Sequence, residues 1–353
     1  MDIELFFLMH STKNTCLNNL ISTKNVYFST KKSIFGLSHT SLAIISYFCE
    51  YINSLHLQVF LNNMDSNSLQ INLNGQLVDL SVPIVMGIVN VTPDSFYTGN
   101  RFASDKSILT AVEKMLLEGA KIIDIGGYST RPSAEIVSQE EEINRVSQGI
   151  EVILKKFPDA VLSVDTFRSG VARHVVQNYR VAMINDVGGG TLDDLMFETI
   201  ANLEVAYVLM HMRGTPQSMQ SYTQYEDIVP EVLHFLEKRL AQLHLLGAKD
   251  VVVDPGFGFA KDMNQNYKIL AQLEYFKQLN VPILAGVSRK SMLCKLLTID
   301  ASEALNATTA ANMLALVGGA SILRVHDVRE ACQAVAIYKE YIEAKESVGI
   351  DKT

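Results

Sequence analysis

Cysteine is scarce in this chain of 353 residues, and its four cysteines (Cys16, Cys49, Cys294, Cys332) form no Cys-x-x-Cys and no cysteine–histidine spacing of the zinc type. That leaves them as plain thiols suited to a reducing cytosol rather than as a disulfide or zinc framework. Basic excess is also missing. The 30 Lys and Arg stand against 38 Asp and Glu, a net charge of −8, which excludes general nucleic-acid binding without excluding a local cationic cluster for a small anion. No run is a clean membrane span, because the apolar stretch Ser41 to Leu61 is broken by Glu50, Asn53 and His56. The chain has no nucleophile elbow and no Ser-His-Asp pattern, which argues against a hydrolase. His211 and His234 lack partners at metal spacing and read as structural, whereas His174 and His244 fall on the surface of expected helices.

What the chain does have is eight short apolar runs that each end on a polar or charged residue. Pro83 to Val91 holds Asn90, Lys121 to Gly127 holds Asp124, and Val161 to Thr166 stops at Asp165. Val181 to Gly190 carries Asn185 and Asp186, Ala206 to His211 ends in Met210-His211, and Val251 to Pro255 ends at Asp254. Val281 to Ser288 runs into Ser-Arg-Lys-Ser (Ser288 to Ser291), and Ile322 to Asp327 ends in Arg-Val-His-Asp. A parallel strand buried on both faces is continuously apolar, and chemistry sits where it stops. Amphipathic stretches separate most neighbours. In the first, Ile108, Ala111, Val112, Met115 and Leu116 share a helical face, with Ser104 or Asp105 placed to cap its start and Gly119 to end it. Strand–helix alternation over roughly 250 residues predicts an α/β fold, a single (β/α)8 TIM barrel. The rival, a doubly wound open sheet, lacks a Gly-x-Gly-x-x-Gly after the first strand.

Residues 1–63 differ in kind. They are rich in Asn, Ser, Thr and Lys, contain no Arg, and carry no acid between Glu4 and Glu50. We expect them to be a poorly structured N-terminal extension, disordered or outside the functional chain, with a targeting or accessory segment as the alternative. Residues 64–353 are expected to be the barrel. Within them Leu69 to Val82 reads as an N-terminal hairpin covering a barrel end.

At the expected mouth, Asp165, Asn185 and Asp254 close the third, fourth and sixth strands. A ring with a guanidine-like edge presents parallel donors that one carboxylate accepts in bidentate fashion, while a second carboxylate and an amide read its other edges. Lys290 is placed to donate to a ring carbonyl or nitrogen, and the set suits a pteridine. Arg324-x-His326 puts two donors on one side of the last strand, in the loop region that seats phosphate in this fold. Arg131 lies on a Gly-rich loop, and Asn90 with acids of the first loop offers oxygen ligands for Mg²⁺. Gly188 to Gly190 fits a strand-to-helix turn better than a phosphate nest, and Phe257 and Phe259 offer aromatic walls.

These motifs together closely resemble the dihydropteroate synthase family. The residues that carry the resemblance are Met86 to Phe96, Gly126 to Pro132, Ser163 to Thr166, Ile184 to Val187, Asp254 to Lys261, Gly286 to Ser291 and Arg324 to Val328, in family order across most of 64–353. The resemblance implies condensation of 6-hydroxymethyl-7,8-dihydropterin diphosphate with p-aminobenzoate, with Mg²⁺, in a cytoplasmic homodimer. It implies a pterin site of Asp165, Asn185, Met210, Asp254, Lys290 and Arg324. The p-aminobenzoate site would comprise Phe96, Thr130, Pro132, Phe259 and Ser291, with Lys290 beside it. The diphosphate site would be Asn90, Arg131, Arg324 and His326, with Asn90 also on the metal. Asp94, Arg131, Lys290, Arg324 and His326 would carry catalysis. Two departures stand out: Thr98 replaces a loop acid common in the family, and Tyr128 follows Gly127 where glutamate is common. A folate-dependent methyltransferase and a non-catalytic pterin-binding paralogue are the competing functions. The first would need no diphosphate grip, and substrate-dependent diphosphate release separates the second. A chain beginning at Met64 is expected to be soluble and active in that assay; insolubility or inactivity would contradict the assignment of residues 1–63.

Overall fold

The computed structural model describes residues 69–91, 101–128 and 137–350, all within one compact unit that spans 68–353. The expectations for residues 1–63, for Asp94, Phe96 and Thr98, and for Thr130, Arg131 and Pro132 lie outside the described residues.

The described chain opens with a hairpin, β1 (Gln70–Leu73) and β2 (Gln76–Asp79), around an Asn74-Gly75 turn with both residues at positive φ. Asn-Gly supplies that conformation at little steric cost, and the turn's twist matches that of the strands. There follow β3 (Ile84–Asn90), α1 (Arg101–Leu117), β4 (Ile122–Gly126), α2 (Gln139–Lys156), β5 (Leu162–Asp165) and α3 (Ser169–Tyr179). Next come β6 (Met183–Asp186), α4 (Met196–Leu203), β7 (Ala206–Met210), α5 (Ile228–Leu245), β8 (Val251–Asp254) and α6 (Met263–Ala271). The chain continues with β9 (Leu284–Ala285), α7 (Ser291–Leu297), α8 (Leu305–Val317), β10 (Ile322–Val325) and α9 (Val328–Ile350).

Strands β3 to β8 pair in parallel in chain order, and β10 lies between β9 and β3. A bridge from Val253 to Ile283, with Val253 N donating to Pro282 O at 2.9 Å, closes the ring between β8 and β9. This is the (β/α)8 barrel, and the open sheet is excluded. The seventh strand is the weak link: of the run from Val281 to Ser288 only two residues join the ladder as a strand. Pro282 has no N–H to give, so pairing there runs through its carbonyl alone.

Side-chain parity divides the barrel. Val85, Val89, Ile123, Ile125, Val164, Ile184, Tyr207, Leu209, Val253 and Leu323 face the helices and build the larger core. Met86, Ile122, Met183, Ala206, Val208, Val252, Leu284 and Ile322 point inward, and Ile71, Leu73 and Leu80 of the hairpin seal them from below. The hairpin is anchored there by Asn72 N to Asp250 Oδ1 at 2.7 Å and by Asn74 Nδ2 to Arg180 O at 2.7 Å. Because side chains alternate, the next inward residues above that plug are the polar ones at the opposite end.

The first crossover helix starts at Arg101, upstream of Ser104 and Asp105, so neither residue caps it, whereas Gly119 at φ +106° does end it. α2 follows its sequence signals: Ser138 Oγ accepts from Glu141 N at 3.1 Å, acids fill the first turn and lysines the last. After β6, Gly189 sits at φ +54° with room for no side chain, since a Cβ there would stand 2.2 Å from the carbonyl oxygen of Met210. Gly189→Ala is expected to cost about 2–3 kcal/mol, combining left-handed strain with a clash against backbone. An unchanged urea midpoint would contradict this packing.

Candidate active site

The mouth is organised around Arg324. From β10 its Nε donates to Asp124 Oδ2 of β4 at 2.7 Å, and its Nη2 donates to Asp165 Oδ2 of β5 at 2.8 Å. Asn185 of β6 donates its amide nitrogen to the same Asp124 oxygen at 3.0 Å. A carboxylate only accepts, so this bond fixes the amide and leaves Asn185 Oδ1 free to accept a donor from a ligand. Burial opposes the charge on Arg324, but Asp124 and Asp165 outweigh it and hold the guanidinium firmly protonated. Burial raises Asp165 to about 7, against the pull of Arg324 and with the repulsion of Asp124 adding to it. Asp124 is fully buried, and its second oxygen has no hydrogen-bond partner among the described residues.

Asp254 closes β8. Its Oδ1 accepts from Gly256 N at 2.7 Å, and burial raises its pKa while Lys290 holds it down. Lys290 is the N-cap residue of α7, and its ammonium reaches back to donate to Phe257 O and to lie 4.3 Å from the Phe259 ring centroid. Burial pulls Lys290 down to about 8, with Asp254 resisting. Met210, at the end of β7, packs in a cluster with Val187, Met212, Met219 and Ala260, flanked by Phe259. Phe257 corrects an expectation: it is buried in the core between strands and helices and forms no wall of the mouth.

His326 is exposed just beyond β10. Its backbone N–H donates to Ser288 Oγ at 3.2 Å, and the hydroxyl lies 3.0 Å from Nδ1. A hydroxyl that accepts the first bond has its proton for the second, which makes Nδ1 the acceptor and Nε2 the N–H that is left for a ligand. Loss of hydration on its protein side, and then Arg324, push His326 down to about 4, so it is neutral at pH 7. Asn90 ends β3 in solvent, and Ser291 is exposed at the start of α7.

The structure thus brings together Asp165, Asn185, Met210, Asp254, Lys290, Arg324 and Phe259, with Asn90, His326 and Ser291 on the rim. Reading the sequence missed Asp124 as a functional group. Its signal was its parity with Gly126 and Ile122 inside an apolar run, overlooked because it stands mid-strand and not at the end. The Gly188–Gly190 turn is claimed by Asp186, whose oxygens accept from Gly188 N and Gly190 N at 2.7 Å each and from the Tyr207 hydroxyl at 2.6 Å. Its N–H groups therefore do not form a phosphate nest. Tyr128 is buried edge-on to Phe167 at 5.5 Å, and its hydroxyl accepts from Gln217 Nε2, joining the ends of two loops. His211 is a buried structural residue as expected, whereas His234 lies exposed on α5.

Residues 86–326 match the family described as pterin binding enzymes. The dihydropteroate synthase of Haemophilus influenzae is 41% identical over 268 residues, 75% of this chain and 96% of that protein. Among solved structures, Yersinia pestis dihydropteroate synthase in a sulfonamide drug complex superposes with a TM-score of 0.72 at 35% identity, covering 78% of this chain and all of that one. The Xanthomonas albilineans enzyme with 4-aminobenzoic acid gives 0.71 at 36% identity, covering 78% and 98%. The chain belongs to the dihydropteroate synthase family of pterin-binding enzymes.

The raised carboxyl of Asp165 has a consequence for stability. A group held near 7 in the fold and near 3.8 when unfolded lets the native state keep a proton that the unfolded chain has released, so stability falls as pH rises through that window. Asp165→Asn removes this contribution while leaving His326 and Lys290 in place. The melting temperature of wild type relative to Asp165→Asn should drop between pH 5 and pH 8, and a constant difference would contradict the assignment.

Proposed function

We propose that the chain condenses 6-hydroxymethyl-7,8-dihydropterin diphosphate with p-aminobenzoate to give 7,8-dihydropteroate and diphosphate. The observation that carries this reading is the convergence of Asp165, Asn185, Asp254, Lys290 and Arg324 from separate strands and one loop onto one mouth. Acceptors and donors there match the edges of a pterin. The free oxygens of Asp165 and Asn185 take ring donors, Asp254 takes the amino edge, Lys290 serves the ring carbonyl, and Met210 lies against an apolar part of the ring. The Arg324 guanidinium, held flat by two carboxylates, stacks on the ring and turns its charge toward the diphosphate.

The reaction breaks the bond from the pterin methylene carbon to the diphosphate oxygen and makes one from that carbon to the arylamine nitrogen, which then loses a proton. An aryl amine is a weak nucleophile, so we favour early departure of diphosphate to leave a ring-stabilised cation. Arg324 and the Nε2–H of His326 steady the departing anion, with Arg131 assigned to the same step from the loop after β4, while Asp94, in the loop after β3, is assigned to steadying the cation. Exclusion of water protects the cation, a task we give to those loops with Phe96, Thr130 and Pro132. Phe259 and Ser291 then line the p-aminobenzoate pocket, with Ser291, exposed at the start of α7, facing its carboxylate.

Among the described residues no cluster of three acids, histidines or cysteines exists to hold a metal. Asn90 contributes one exposed oxygen at the rim, which fits an Mg²⁺ held chiefly by diphosphate oxygens rather than by a protein cage. When bound, Mg²⁺ would neutralise charge on the leaving group. A homodimer fits the apolar side chains exposed on α7 and α8, namely Leu296, Leu297, Leu305, Leu314 and Val317. Cytoplasmic residence fits the free thiols of Cys294 and Cys332.

The deciding assay is diphosphate release by the full chain with Mg²⁺, pterin diphosphate and p-aminobenzoate, each omitted in turn. Release requiring all three, with dihydropteroate formed and sulfonamide competing with p-aminobenzoate, is expected. Tight pterin binding with no release would assign the chain to the non-catalytic paralogue.

A further inference from the structure

Lys261 is a buried amine that the reaction does not use. It is 3% exposed and sits between the loop after β8 and the first turn of α6. Its Nζ lies 2.9 Å from Gly256 O, 2.9 Å from Phe259 O and 2.9 Å from His211 Nδ1, with His211 O further off at 3.4 Å. An amino group has three short-range positions to fill, and these three contacts fill them.

His211 follows directly on β7, so this one nitrogen ties the end of β7 to both halves of the β8 loop. Two further side chains hold the same loop, one from α6 and one from the segment before α5. Asn266 Oδ1 accepts from Gly258 N at 2.7 Å, and the Tyr225 hydroxyl donates to Ala260 O at 3.0 Å. The carbonyl of Phe257 is left for Lys290, whose ammonium then stands over the Phe259 ring. Space is tight. A Cβ at Gly256, which has φ +74°, would stand 2.0 Å from His211 O and 3.2 Å from Lys261 Nζ. Loop and strand end are pressed together around the amine, and burial lowers the basicity of both Lys261 and His211.

We propose that Lys261 is a positioning residue for the p-aminobenzoate half of the site: by drawing Gly256 O and Phe259 O onto the end of β7, it fixes Phe259 beneath Lys290. The proposal rests on the reading that Phe259 and Lys290 serve p-aminobenzoate. It separates Lys261 from Asp165, Asn185 and Arg324, which are joined to one another through Asp124; Asp254 meets the loop through Gly256 N and Met210 through Ala260. An apolar side chain of similar length would leave the carbonyls of Gly256 and Phe259 and the ring nitrogen of His211 without this partner and free the loop to shift.

The test uses the full chain, with pterin affinity measured by calorimetry and p-aminobenzoate dependence by steady-state turnover. Lys261→Met should leave the pterin Kd within about twofold and raise the KM for p-aminobenzoate by about tenfold or more, with sulfonamide inhibition weakened in parallel. An unchanged KM, or equal weakening of both substrates, would overturn the proposal. Should Lys261→Met not fold, Tyr225→Phe removes one hydroxyl from the same loop; it should raise that KM by about two- to fivefold without altering pterin affinity. No change in Tyr225→Phe would then overturn it. A wild-type chain that binds pterin yet shows no dependence on p-aminobenzoate would overturn the underlying reading instead, and that failure is visible before any substitution is made.

Discussion

One guanidinium held by two carboxylates inside a ring of buried strands is the interaction on which the mouth depends. Two acids beneath a ligand site repel each other and lose hydration, costs that the protein meets by placing Arg324 between Asp124 and Asp165. Removal of either partner from such a buried set leaves an uncompensated charge, which is far more costly than the modest net gain of forming the set. The arrangement therefore constrains more than it stabilises. It fixes the plane of the guanidinium, and through the shared Asp124 oxygen it also fixes which end of the Asn185 amide faces a ligand. The plane of the guanidinium and the orientation of the amide are thus set by a single carboxylate, that of Asp124.

The same alternation of side chains explains why neighbouring acids do different work. Asn185 and Asp186 are adjacent in β6, and their side chains point to opposite faces. Asn185 reaches the mouth. Asp186 turns outward, ties the Gly188–Gly190 turn, and accepts from Tyr207 on the next strand; burial raises it to about 6 despite that hydrogen bond. One residue faces the mouth and the other holds the turn beside it, and a shift of one position in the strand would exchange their places.

That periodicity is also why much of the fold and the site could be read from the chain. Continuous apolar runs betray doubly buried strands, and the polar residue that ends each run must sit at the mouth. Asp165, Asn185, Asp254 and Arg324 all follow from that rule. Asp124 does not, because it lies inside its run, and only its inward parity connects it with Arg324, 200 residues later in the chain. Phe257 and Phe259 defeated the rule in another way. In a loop with glycines at positive φ no alternation applies, so nothing in Gly-Phe-Gly-Phe says which ring enters the core. The short seventh strand was obscured similarly, since hydropathy records that Val281 to Val287 is buried but not that Pro282 lacks a donor.

The two halves of the site therefore rest on different physics. The residues proposed for the pterin, Lys290 apart, stand on strands whose positions are set by the barrel's hydrogen-bond ladders and the apolar plug beneath them. Phe259, by contrast, stands on a loop, where position must be specified bond by bond. Lys261, Asn266 and Tyr225 supply those bonds from within the protein, and Lys290 supplies one from the neighbouring loop. The strand-borne half is held in place by the ladders, so a single substitution there disturbs the local charge balance and the ligand contact rather than the position of the backbone. The loop-borne half is determined by a few polar groups, so a substitution behind it can move a binding surface without touching any ligand. Selective change in affinity for the second substrate should therefore arise from residues buried beneath the β8 loop as readily as from those that line it.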